Sequence, residues 1–391
     1  MKKSISLIVA LLLAFSILAG CSNSVSEDTQ EPSDTASSNA TSESTASEPP
    51  VRYSACLMLN GFRGDHGLMD SATEGFEKAV KEFPCFDTKI VEAGYDTSTY
   101  ETTFIDLCEQ NFDILITGLW SMKGYVQTYA SEYPNTKFIL FDSSPEYTEY
   151  EMSNVHSISY MQNEGAFLAG ALAALVSESD MPLATNSKTI SVVGGNNSNT
   201  INDFMVGYIA GARYVVPEMK VLSTYIASVS DSPKCKDASL QMYSMGSDVN
   251  FSPSGGAVAG SMDAAKQAQK YVIGVDGDQA MQYLESDPEM AKLIVSSALK
   301  NAGQSIYIIL KQVYENGIDS VAWGEHEIMG LNQGTVGLAK NEIYLDVVPK
   351  EIQDKIIEIE EGIISGKIEV PSAFDMTQDG VAKYFADAAK K

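Results

Sequence analysis

The chain has 391 residues and a formal net charge of −26, with 44% hydrophobic and 20% charged residues. That length accommodates two domains with separate cores, because single cores stop growing at roughly 250–300 residues. So acidic a surface repels phosphate backbones and anionic headgroups, which excludes nucleic acid as a partner and favours a neutral or cationic small ligand over a polyanion.

Residues 1–20 read as a signal rather than as part of the fold. Lys2-Lys3 give a positive start, and residues 5–18 an apolar run too short to span a bilayer comfortably. Leu18-Ala-Gly-Cys21 follows and resembles a bacterial lipobox, with cleavage before Cys21 and lipid on its thiol. An uncleaved anchor or a plain secretory signal is the plainer alternative. Residues 22–50 contain no aromatic and no basic residue, so they cannot bury enough apolar surface to offset chain entropy and are expected to be a disordered tether. About 29 residues of such chain reach roughly 30 Å, enough to hold a domain off the membrane. Cys56, Cys85, Cys108 and Cys235 lack metal-ligand spacing. Buried free thiols are expected, with a Cys56–Cys85 or Cys85–Cys108 bridge left open.

From residue 51 strands and helices alternate. Strands are expected at 52–59, 88–92, 112–117 and 137–142, and helices at 70–83, 100–110 and 125–133. Along 70–83, Ala72, Phe76, Ala79 and Val80 share one helical face. A second round begins with a helix at 163–177. Strands follow at 189–193, 221–227, 248–251, 271–275 and 293–297, between helices at 201–216, 236–245, 261–270 and 303–316. A final helical pair covers 347–365. This rhythm predicts two α/β lobes with doubly wound parallel sheets, hinged as in a two-lobe binding protein. Several buried strands run into small or acidic residues: Gly118, Asp142, Gly194-Gly195 and Asp276-Gly-Asp278. In open α/β sheets ligands sit outside these carboxyl ends, although an ordinary βα turn with solvated aspartates gives the same pattern.

No catalytic or metal motif emerges. His66, His156 and His326 are scattered along the chain, and neither a HExxH pair nor a G-x-S-x-G elbow is present. Gly255-Gly256 precedes a helix but lacks the Lys-Ser/Thr of a P-loop, so Gly256 reads as a tight turn where backbone approaches a ligand. No cofactor is implied.

Six segments together resemble the basic membrane protein family, the PnrA-like substrate-binding lipoproteins of ABC transporters. They are Tyr133-Pro-Asn-Thr-Lys-Phe-Ile-Leu-Phe-Asp142, Glu164-Gly-Ala-Phe-Leu-Ala-Gly170, Val193-Gly-Gly195, Gly207-Tyr-Ile-Ala-Gly211, Tyr271-Val-Ile-Gly-Val-Asp-Gly-Asp-Gln279 and Ser296-Ser-Ala-Leu-Lys300. The resemblance implies a type I periplasmic-binding fold, with residues 51–160 plus about 300–327 in one lobe and 161–299 plus about 328–391 in the other. It also implies a nucleoside or related riboside as ligand, an ABC permease as partner, a monomer, and attachment to the extracytoplasmic face of the membrane through the lipid on Cys21 only. Asp142, Asp276 and Lys300 match positions that the family places around the sugar, and Asp65 opens the matching ligand loop. Lys300 would balance two buried carboxylates; a surface lysine at a strand end is the simpler alternative.

The departures lie elsewhere. Asp65-His-Gly-Leu68-Met69 stands where the family reads Asp-x-Ser-Phe-Asn, while Thr73 and Val229 replace usual aromatic residues. The base half of the pocket therefore reads as remodelled. Trp120 is a candidate replacement platform or, equally, a tryptophan packed under a loop. The overall expectation is a non-enzymatic solute-binding lipoprotein. A surface or signalling lipoprotein with a degenerate pocket is the alternative, and an exported riboside hydrolase a more distant one.

Overall fold

The computed structural model describes residues 52–64 and 67–390. The signal, Cys21, the tether and Asp65 lie outside the described residues.

The first sheet draws on β1 (Tyr53–Leu59), β2 (Phe86–Glu92), β3 (Ile114–Gly118), β4 (Lys137–Phe141) and β5 (Val155–Tyr160), connected through α1 (Leu68–Glu82), α2 (Tyr100–Cys108) and α3 (Trp120–Tyr129). The chain then enters the second lobe with α4 (Gln162–Ser177). There it builds β6 (Thr189–Gly194), α5 (Asn199–Val215), β7 (Lys220–Tyr225), α6 (Ser232–Ser244), β8 (Val249–Phe251), α7 (Val258–Ala268) and β9 (Tyr271–Asp276). Two short helices, α8 (Gln279–Leu284) and α9 (Pro288–Leu293), precede β10 (Ile294–Lys300). Helix α10 (Ala302–Asn316) returns to pack on α1, and β11 (Glu325–Met329) completes the first sheet. A third passage carries the chain into β12 (Val336–Leu338), α11 (Glu342–Val347), α12 (Lys350–Ile364) and α13 (Gln378–Ala388).

The strand orders are β11-β5-β4-β3-β1-β2 and β12-β10-β9-β8-β6-β7. Pairing is parallel throughout except between β10 and β12. Apart from β11 and β12, the second order repeats the first, so β1 to β5 have β6 to β10 as counterparts. Strands β5, β11 and β12 did not show in the sequence pattern. His156, Ser157 and Ser159 interrupt the apolar run of β5, and β11 is a half-exposed edge strand with alternating charge.

Alternation places Ala55, Leu57 and Leu59 against α1, while Cys56 and Met58 face Phe104 of α2 with Met122 and Val126 of α3. All four described cysteines are free and buried. Burial pushes the Cys56 and Cys108 thiols up to about 12, so neither is a thiolate at neutral pH. In the second lobe α4 is buried nearly all round and crosses α5 at very short range. A Cβ at Gly211 would stand 1.8 Å from the Phe167 carbonyl oxygen, and one at Gly170 1.8 Å from that of Tyr208. A Cβ at Gly207 would likewise stand 2.2 Å from the Asn163 carbonyl oxygen, so close backbone packing accounts for Gly170, Gly207 and Gly211 of the motifs that begin at Glu164 and Gly207.

The passages between the lobes are tied together. Met161 N–H donates to the Met329 carbonyl at 2.9 Å, and Leu331 N–H donates to Glu164 Oε2 at 2.8 Å. Burial raises the Glu164 carboxyl above its ordinary value, against the pull of that hydrogen bond.

Candidate functional site

The carboxyl ends of the strands carry the chemistry. Asp142 leaves β4 with φ 53°, and Asp276 leaves β9, its counterpart, with φ 64°. Aspartate is one of the few residues that tolerate this left-handed region. Equivalent exits of the two lobes therefore present a carboxylate in the same unusual backbone conformation.

Lys300 joins them. It ends β10 in the second sheet, and its Nζ donates to both Asp142 oxygens in the first lobe, at 3.0 and 3.1 Å. The lysine is only 6% exposed. Burial alone would lower its pKa, but the charges of Asp142 and Asp276 and the hydrogen bond to Asp142 outweigh it and hold the ammonium above its ordinary value. The Nζ also lies 5.9 Å from the Phe204 ring centroid, within cation–π range. A surface lysine this is not.

Asp276 borders a cleft of about 450 Å³ between α1 and the β9–α8 turn, lined also by Asp70, Ser71, Glu74, Asp278 and Asn301. The two aspartates of the Asp276-Gly-Asp278 turn divide their roles. Asp278 caps α8 through the Met281 N–H and accepts from Asn341 Nδ2 at 2.6 Å, while burial pushes its carboxyl up. Asp278 is thus a structural cap, and Asp276 remains the carboxylate nearer Lys300.

The other positions separate. Gly256 is exposed beyond β8, next to Gly255 with φ 56°, and its carbonyl lies 3.5 Å from Ser232 Oγ. Trp120 opens α3 and is 82% exposed, so it packs under no loop. Leu68 and Met69 belong to the stripe of α1 that packs on the sheet, and the Thr73 hydroxyl donates to the Met69 carbonyl at 2.9 Å. These three build core rather than pocket wall. Val229, by contrast, is 48% exposed beyond β7.

Two histidines that are far apart in sequence meet on β5 and β11. His326 Nδ1 lies 2.8 Å from Ser157 Oγ, and burial together with nearby His156 lowers its pKa. They sit away from the cleft and form no catalytic arrangement with it. Among the described residues no group of three His, Cys, Asp or Glu side chains is placed to hold a metal ion. No helix among them is long and apolar enough to cross a membrane.

Comparison with known proteins agrees with this geometry. The sequence profile described as ABC transporter substrate-binding protein PnrA-like matches residues 53–373. The chain belongs to this family. It is 28% identical to the ABC transporter nucleoside-binding protein BmpA of Lactococcus lactis subsp. cremoris, over 95% of this chain and all of the relative. Basic membrane protein A1 of Borrelia garinii subsp. bavariensis is 27% identical over 81% of this chain and 87% of its own. Among solved structures, a solute-binding protein of an ABC transporter system from Aeropyrum pernix superposes with a TM-score of 0.68 at 22% identity, covering 88% of this chain and 100% of that one. Membership makes the chain a substrate-binding component, and such components bind without catalysis.

Sequence reading missed Asn60 and Ser121, which meet at the end of the first sheet. The one available signal was a polar residue closing the apolar run of residues 55–59.

Proposed function

We propose that this chain is a lipid-anchored solute-binding protein that captures a nucleoside or related riboside between its lobes and delivers it to an ABC permease. One observation carries the reading: carboxylates at equivalent exits of both lobes, with a buried lysine between them. Vicinal hydroxyls donate well to carboxylates, and such charge-assisted bonds are short and strong. Lys300 offsets the negative charge that would otherwise make a closed, dry cleft costly. Closure about the three passages would bring Asp276 toward the sugar already held beside Asp142. The nucleoside-binding name of the Lactococcus lactis relative supports the choice of ligand.

Calorimetric titration of a nucleoside panel, with chromatography of the same samples, tests it. Saturable heat without release of free base is expected. Base release would identify a hydrolase, and no heat with any riboside would favour the surface or signalling lipoprotein. For the anchor, fatty-acid labelling should be lost in Cys21→Ser. Equal labelling of both proteins would remove the lipid from the reading.

A further inference from the structure

The residues around the sugar account for one end of a riboside, and the row of strand ends continues beyond them. In the first lobe the order β2-β1-β3-β4-β5 reverses between β1 and β3. At such a switch point an open parallel sheet leaves a crevice outside its carboxyl ends. Asn60 leaves β1 on one side of it, and Ser121 stands in the first turn of α3 on the other. Asn60 Nδ2 donates to Ser121 Oγ at 2.7 Å. The carbonyl oxygen of the same amide has no hydrogen-bond partner, although Asn60 is only 4% exposed. The Tyr100 hydroxyl sits between the backbone carbonyls of Asn60, at 3.1 Å, and Gly94, at 2.8 Å, which fixes the strand end that carries the amide. A buried acceptor without a donor costs free energy and calls for a reason.

The neighbouring exit is strained. Leu119 has φ 67° and ψ 160°, a region that essentially only glycine occupies. Its N–H donates to the Phe141 carbonyl at 2.9 Å and its carbonyl accepts from Met122 N–H at 3.1 Å, so the surroundings hold it there. The consequence is Trp120, a large ring projected into solvent at the start of α3. Neighbouring strands lie about 4.8 Å apart, so the exits of β4 and β1 are separated by two spacings, about 10 Å. Asp142 at one and Asn60 at the other thus span the length of a nucleoside from its sugar hydroxyls to the far edge of its base. The matching switch point of the second lobe, between β6 and β8, is filled by its own chain. There a Cβ at Gly195 would meet Ser228, Ser254 and Val229, each at 3.1 Å.

Resting on the riboside reading above, we infer that the aglycone lies against the first lobe's switch point, with Trp120 as its aromatic face and Asn60 Oδ1 accepting a hydrogen bond from it. The ligand class is then ribosides whose ring system carries an N–H donor. Inosine, guanosine and adenosine all qualify, so discrimination among them is shallow. A purine riboside without any base N–H does not. A site built around a hydrogen bond rejects the analogue that cannot make it, because its polar group is left without a partner.

The test uses the full chain purified in detergent and titrated calorimetrically with inosine, adenosine and purine riboside. Inosine and adenosine should bind about tenfold or more tightly than purine riboside. Asn60→Ala should narrow that gap to about twofold or less. Trp120→Ala should weaken all three by about fivefold to a hundredfold, the range of base–aromatic stacking. The purine riboside comparison needs no variant and Trp120 is exposed, so a folding failure of Asn60→Ala leaves the test intact. Purine riboside binding as tightly as inosine, or unchanged affinities in Trp120→Ala, overturns the inference. If Asp276→Ala still weakens binding by about tenfold or more in that case, the sugar reading stands alone. If no riboside binds the unaltered protein, both readings fall.

Discussion

In the first lobe β1, β2 and β3 release into Phe62, Tyr95 and Trp120, all exposed, with Phe62 and Tyr95 edge to face at 5.4 Å. In the second lobe their counterparts β6, β7 and β8 release into Gly195, Val229 and Gly255. Yet β4 and β9 both end in aspartate with positive φ. The duplicated framework thus fixes a shared grip near the passages between the lobes, while the outer exits diverge. One lobe offers aromatic surface, the other small residues and backbone. Strand order decides where a ligand is held, and the residues just past each strand decide which part of it is read.

The largest expected effect probes the pair of exits that are least alike, Lys300 at the end of β10 and Tyr160 at the end of β5. Lys300→Ala leaves the partly buried Asp142 carboxylate without its cation and should destabilise the fold by about 3 kcal/mol in urea unfolding. Tyr160→Phe removes only the hydroxyl contact with Ser305, at 2.8 Å, and should cost about 1 kcal/mol. Equal losses would mean that Lys300 serves as an ordinary core contact.

Next come the equivalent carboxylates. Asp276→Ala should weaken riboside binding by about 2–5 kcal/mol with the fold retained, and so by at least roughly tenfold. Asp142→Ala should weaken it likewise and also cost stability, because it strands the buried Lys300 ammonium. Unchanged affinity in a folded variant would remove that lobe from the grip.

The frameworks themselves can be separated by glycine. Gly211→Ala drives a Cβ into the Phe167 carbonyl at the crossing of α4 and α5 and should cost about 1–3 kcal/mol or more. Gly124→Ala, at an exposed position of α3 in the first lobe, meets no atom within 4 Å and should stabilise by up to about 1 kcal/mol. Thermal unfolding of the two variants checks both signs.

Smaller still, Val229→Phe gives the second lobe an aromatic face beyond β7. Purine nucleosides should tighten by about fivefold, the low end of base stacking, as read by calorimetry. No change would show that the outer second lobe does not reach the base.

The smallest effect is a pH dependence peculiar to the first sheet. Folded His326 titrates below its ordinary 6.5, first through burial and then through nearby His156. The unfolded chain therefore takes up this proton first as pH falls. Its contribution to stability is complete above about 6.5 and is lost as pH drops through the folded value. Below pH 6.5 the unaltered protein should lose stability faster than His326→Gln. Parallel unfolding curves would assign the slope to other groups.

What the sequence determined by itself was local. Buried parallel strands must be apolar along their length and end where the chain turns, so β1, β3, β4, β6 and β9 and the residues at their ends were legible, with the α/β rhythm of both lobes. The segment motifs marked Asp142, Asp276 and Lys300 individually. Tertiary structure decided which ends meet. Lys300 reaches Asp142 across 158 positions of chain, and Asn60 reaches Ser121 across 61. No periodicity encodes such pairings, because burial patterns report a residue's own environment and not its partner. The same limit explains the turn after β9, whose two aspartates look alike in sequence until the fold gives Asp278 a helix to cap and Asn341 to bind. It also explains α1: its apolar stripe was legible, but that the stripe takes Leu68, Met69 and Thr73 into the core was settled only when the helix met the sheet.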